Sequence, residues 1–239
     1  MARARQTSES LEVAFVLALS GGLMDAYSYL ARGKVFANAQ TGNMLLLGIA
    51  LADGRLDQAL RYLLPVLSFA LGISVTQVLS MRLKERRLPL MSHWRQIALL
   101  LEIVLLGVVA FVPEESNALA NTLTSLACGI QVQAFRKIHG RPFATTMCIG
   151  NLRSGTHALI AYLHAGRLEQ LRSAGLYYAT IGSFVVGAIV GGRLIEKSGL
   201  LAILGCPVLL LVALGLMGID RERRERRGQA MGEAQKRVY

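Results

Sequence analysis

Apolar residues in this chain come in long uninterrupted runs. Six of them, 11–30, 62–81, 96–112, 117–135, 175–194 and 199–219, approach the ~20 residues that an α-helix needs to cross a bilayer. Two shorter runs, 42–52 and 151–163, follow the first and the fourth. At ~1.5 Å per residue, the eleven residues of 42–52 reach about 16 Å, roughly half of a ~30 Å hydrocarbon core. The pattern predicts an all-α polytopic membrane protein with six transmembrane helices and two re-entrant half-helices.

The chain also repeats itself. GRLDQ (Gly54 to Gln58) recurs as GRLEQ (Gly166 to Gln170), and SFALG (Ser68 to Gly72) as SFVVG (Ser183 to Gly187). GKVFA (Gly33 to Ala37) recurs as GRPFA (Gly140 to Ala144), followed by TGN (Thr41 to Asn43) and IGN (Ile149 to Asn151), and DAY at Asp25 aligns with QAF at Gln133. The matches keep their order with nearly constant spacing, the mark of internal duplication. The chain divides into an N-terminal segment 1–10, a first repeat 11–112, a second repeat 113–219 and a basic tail 220–239. Three crossings per half, an odd number, make the second repeat inverted.

Composition agrees with a membrane protein: 53% of the 239 residues are hydrophobic, 17% are charged, and the mean hydropathy is +0.45. The net charge of +11 would point to nucleic acid in a soluble protein. Here the basic residues lie in short blocks between apolar runs, which reads as orientation and contact with anionic lipid heads, without nucleic acid. If all eight apolar runs crossed, Arg82, Lys84, Arg86 and Arg87 would face away from Arg3 and Arg5. With 42–52 and 151–163 re-entrant, 19 of the 26 Lys and Arg residues fall on the cytoplasmic side, as the positive-inside rule requires. The expectation is a bacterial inner-membrane protein with both termini in the cytoplasm. Cys128, Cys148 and Cys206 have no metal-type spacing and read as small core residues.

Half-helix N-termini carry unpaired N–H groups and partial positive charge. Two of them aimed at mid-membrane are the usual basis of a solute site in inverted-repeat transporters. Candidate pathway residues are Thr41, Gly42 and Asn43 in the first copy and Gly150, Asn151 and Arg153 in the second. The glycines serve close approach or positive φ, and the asparagines serve as helix caps. Asp25 is a carboxyl inside a membrane helix, read as a partner of Arg153 or a carrier of a coupling proton. Gln133 is its counterpart, Tyr29 lies one turn on, and His157 follows Arg153 by one turn. Glu102 is placed near the cytoplasmic end of its helix, within reach of the interface. Gly72, Gly182, Gly187, Gly191 and Gly192 read as helix-packing positions. No catalytic constellation, metal site or cofactor motif is found.

LSGGLMDAYSYLARGKVFANAQTGNMLLLGIAL, residues 19 to 51, resembles the opening signature of the YoaK family of bacterial inner-membrane proteins, grouped under a domain of unknown function. Gly22, Asp25, Ala26, Tyr29, Phe36, Thr41, Gly42 and Asn43 supply that signature, and Gly150 and Asn151 its second-half counterpart. The resemblance implies a six-helix membrane architecture and no particular activity. The leading functional expectation is therefore a transporter or channel for a small polar or anionic solute. The alternatives are a non-transporting scaffold or regulator acting through the basic loops, and an intramembrane enzyme. The glycine-rich faces also permit a homo-oligomer.

Overall fold

The fold is taken from a computed structural model, which describes residues 11–85, 94–138, 141–142, 146 and 148–218. The expectations for the N-terminal segment, for 86–93, for most of the loop before α6 and for the basic tail lie outside the described residues.

All eight apolar runs are helical. α1 is Leu11–Ala31, α2 Gln40–Ala52, α3 Leu56–Glu85, α4 Trp94–Val109, α5 Asn117–Ala134, α6 Cys148–Ala165 and α7 Leu168–Ser198. A 3-10 turn, Gly199–Leu204, leads into α8, residues 205–218. The only strand pairing among the described residues is Lys137–Ile138 against Arg141–Pro142. Among the described residues, three helical runs are long and apolar enough to cross a membrane: Leu11–Ala31, Leu56–Leu83 and Leu168–Gly218, the last containing α7, the turn and α8. α2, with 13 residues, is a shorter apolar helix. α6, with 18 residues, is longer than its apolar run because Cys148 to Gly150, His164 and Ala165 join it.

The boundaries follow local chemistry. Gly54 and Gly166 open the two copies of GRL(D/E)Q, and both take the left-handed conformation, with φ of +70° and +67°. A side chain is disfavoured there, so glycine ends the preceding helix. α3 and α7 then begin two residues later, at Leu56 and Leu168. Both helices thus start well before the apolar runs they carry.

Packing is dominated by α1 on α7 and α3 on α5, with α2 against α3, α6 against α7 and α4 against α5. The two main crossings bring backbone onto backbone. A Cβ on Gly22 of α1 would sit 1.9 Å from the Phe184 carbonyl oxygen, and one on Gly187 of α7 would sit 1.9 Å from that of Leu19. In the other crossing, a Cβ on Gly72 of α3 would lie 2.4 Å from the Leu126 oxygen, and one on Gly129 of α5 2.2 Å from that of Phe69. Only glycine permits such approach. The repeated S-F-x-x-G motif therefore supplies the same pair of features, a phenylalanine carbonyl and a glycine, to each crossing. Gly182 corrects the expectation of a packing role: nothing lies within 4 Å of its Cβ position. Large apolar side chains such as Phe111 (77% exposed) and Ile149 (83%) face outward, as on a surface solvated by lipid.

Candidate functional site

The loop between α1 and α2 is built around three of the expected residues. Asn43 is buried and grips Phe36 at both ends of its peptide unit. Its Oδ1 accepts from the Phe36 amide at 3.0 Å, and its Nδ2 donates to the Phe36 carbonyl at 2.8 Å and to Gln40 Oε1 at 2.9 Å. Gly42 lies under the Phe36 ring, which a Cβ would meet at 2.8 Å. Tyr29 is stacked on the same ring at 5.0 Å between centroids. The cap reading of Asn43 is corrected. α2 begins at Gln40, and Ala39 stands at the N-cap without a side-chain cap, so Asn43 is inside the first turn and ties the loop back to the helix. Asn151 likewise lies inside α6, which starts at Cys148, and is buried.

Asp25 sits where this loop meets α1. Its carboxylate accepts the Asn38 amide at 2.7 Å, and the amides of Ala37 and Ala39 also turn toward it. The Asn38 side chain donates to the Gly21 carbonyl at 3.2 Å, fixing the loop to the same turn of α1. The second half arrives from the other side. Thr146, just before α6, packs on Gly21, where a Cβ would meet its methyl at 2.5 Å. Cys148, the first residue of α6, lies within electrostatic reach of Asp25. The beginnings of both short helices thus converge on the Gly21 to Asp25 turn.

Five expected residues, Arg153, His157, Gly150, Gln133 and Thr41, take no part in these contacts. Arg153 does not pair with Asp25. It is exposed on α6 and lines a 730 Å³ cavity between α6 and α7, with Gly150, His157, Glu169, Ser173 and Tyr177. Gly150 has open space around its Cβ position and no positive φ, so neither proposed reason for a glycine there applies. Gln133 hydrogen-bonds Gln77 of α3 and takes no part in the Asp25 contacts. Thr41 is exposed at the start of α2.

Two residues stand out that the sequence pattern passed over or misplaced. Arg32 is 0% exposed, and its guanidinium donates to Tyr27 Oη (2.8 Å), Val109 O (3.2 Å), Val112 O (2.7 Å), Pro113 O (3.1 Å) and Asn117 Oδ1 (3.1 Å). It neutralises the negative end of α4 with a full positive charge and fixes the end of α1 to the α4–α5 turn. The available signal was a lone arginine closing an apolar helix, outside the basic blocks assigned to the cytoplasm. Glu102 corrects the placement near an interface, being 0% exposed and ninth of the sixteen residues of α4. It shares a buried stripe with Leu99, Leu106 and Val109, the three-to-four-residue spacing of one helix face.

A family profile described as a protein of unknown function, DUF1275, matches residues 13–217. The chain is 27% identical over 208 residues to the UPF0700 transmembrane protein YoaK of Bacillus subtilis (strain 168), an alignment covering 83% of this chain and 89% of the relative. No solved structure matches it. A transmembrane relative and long apolar helices with outward-facing side chains together identify a membrane protein, and the match across nearly all of its length makes this chain a member of the DUF1275 family.

Proposed function

We propose that this protein is a membrane transporter or channel for a small polar or anionic solute, bound where α2 and α6 begin. The observation that carries the reading is the convergence of both helix starts on one turn of α1, with Asp25 between them. Supporting it are two glycine crossings built from the same repeated motif and two left-handed glycines opening the same repeated turn, as two inverted copies of one unit would have. In this reading α2, at about 20 Å, ends within the bilayer, and α7 and α8 cross separately. The termini are cytoplasmic in the bacterial inner membrane, and basic loops rest on anionic lipid.

Asp25 refines the chemistry. The amides of Ala37, Asn38 and Ala39, in the loop that leads into α2, form a group of donors suited to an anion, and the Asp25 carboxylate already holds them. A negatively charged solute therefore competes with Asp25, and a proton on Asp25 frees the donors. Proton uptake and anion binding are coupled by that competition.

The test is a thermal-shift screen of detergent-purified protein against small carboxylates and neutral polar solutes, with Asn43→Ala and Arg153→Ala as controls. A ligand at about 100 times its Kd stabilises by about 2.7 kcal/mol. A solute that stabilises the wild type, leaves Asn43→Ala unshifted and crosses the membrane in proteoliposomes supports the reading. A ligand that stabilises all three proteins equally, or that binds without flux, points to a scaffold or regulator instead.

A further inference from the structure

Glu102 is a carboxyl in the middle of α4, about 12 Å from the helix start at ~1.5 Å per residue. Neither oxygen touches solvent or finds a hydrogen-bond partner among the described residues. The titratable groups within electrostatic reach of it are two buried thiols, Cys128 from α5 and Cys206 from α8, and no described basic side chain lies against it. Those thiols are engaged elsewhere: Cys128 Sγ lies 3.6 Å from Met24 Sδ, and Cys206 Sγ 3.7 Å from the Ser20 carbonyl. Cys128 is also within electrostatic reach of Asp25, so the two buried carboxyls share one neighbour.

An ionised carboxylate with no cation and no donor around it is far too expensive to keep in an apolar core, whereas a neutral acid is tolerable. A leucine would avoid even that burden. We propose that Glu102 is a proton-binding site in the core of the membrane domain, neutral in this conformation and exchanging its proton with water only when α5 and α8 part from α4. On opening, the carboxyl O–H transfers its proton to an entering water, leaving a hydrated carboxylate, and closure requires the proton back. Glu102 thereby ties helix opening to proton movement. Its role as a coupling proton for solute rests on the transport reading above, while its occupancy by a proton does not.

Infrared spectroscopy of the lipid-reconstituted protein tests occupancy without any solute. At neutral pH the wild type and Asp25→Asn are expected to share a carbonyl stretch of a protonated carboxyl, moving on transfer to D2O and missing from Glu102→Gln. Glutamine is a neutral mimic of the protonated acid, so this variant should elute and unfold as the wild type does. Superimposable spectra for folded wild type and Glu102→Gln overturn the proposal. Should Glu102→Gln not fold, dicyclohexylcarbodiimide, which attacks protonated carboxyls in apolar surroundings, is applied to the wild type. An adduct on the peptide containing Glu102, formed less as pH rises, supports the proposal, and an adduct confined to other carboxyls overturns it. Absence of solute flux in a wild type that shows the band would count against the transport reading alone.

Discussion

Arg32→Met removes the guanidinium and keeps most of its volume. Three backbone carbonyls at the α4–α5 turn, Val109, Val112 and Pro113, lose their donor, as do Asn117 Oδ1 and Tyr27 Oη. Each acceptor left unmet in a buried site costs roughly 1–3 kcal/mol. Against this, methionine escapes the desolvation of a buried cation, which offsets part of the loss. Taking the low end for the three buried acceptors, Val109 O, Val112 O and Tyr27 Oη, leaves a net destabilisation of about 3 kcal/mol, which at roughly 2–4 °C per kcal/mol lowers Tm by about 10 °C. Arg32→Lys keeps the charge but replaces the planar fork by a single ammonium, and should fall between the two. The molecule carries its own reporter, because Cys128 and Cys206 are both 0% exposed and react with a thiol-sensitive dye only on unfolding. A labelling curve for Arg32→Met within about 2 °C of the wild type would refute the claim that this cation holds the turn.

The glycine crossings give a graded test in the same assay: Gly22→Ala and Gly187→Ala force a methyl against a carbonyl and should each lower Tm by several degrees, while Gly182→Ala, in open space, should leave it unchanged or slightly raised. Equal effects at all three would mean that the crossings are looser than these distances require. The re-entrant course proposed for α2 predicts that cysteines introduced at Lys34 and Leu56, both exposed, react with an impermeant reagent from the same side of the membrane. Reaction from opposite sides would make α2 a crossing helix and remove the proposed solute site.

Helix positions were legible because long apolar runs have few alternatives, and every one of the eight is helix. Their true starts were less so, since the turns at Gly54 and Gly166 let α3 and α7 begin at Leu56 and Leu168, in polar stretches with Asp57 and Glu169 in the first turn, where hydropathy is silent. Asp25, Gly42 and Asn43 stand out as a group because the intramembrane charge and the G-N pair are conspicuous in an apolar context. What Asn43 does was not readable: whether an asparagine caps a helix or reaches back to Phe36 depends on a helix start three residues away. Arg153 and Gln133 were assigned by position in the repeat, yet a side chain's direction follows helix rotation, and these two turn toward α7 and Gln77. Arg32 and Glu102 escape the sequence pattern for a related reason: whether a charge near or within an apolar helix faces water or the core is decided by partners distant in sequence.

Each glycine crossing joins a helix of one half to a helix of the other, α1 with α7 and α3 with α5. During synthesis α1 must wait in the bilayer without its main contact surface until nearly the whole chain has been inserted, and α3 must wait for α5. A polypeptide truncated after residue 112 would present both glycine faces bare to lipid, making it a substrate for membrane proteolysis or for complementation by a separately expressed second half.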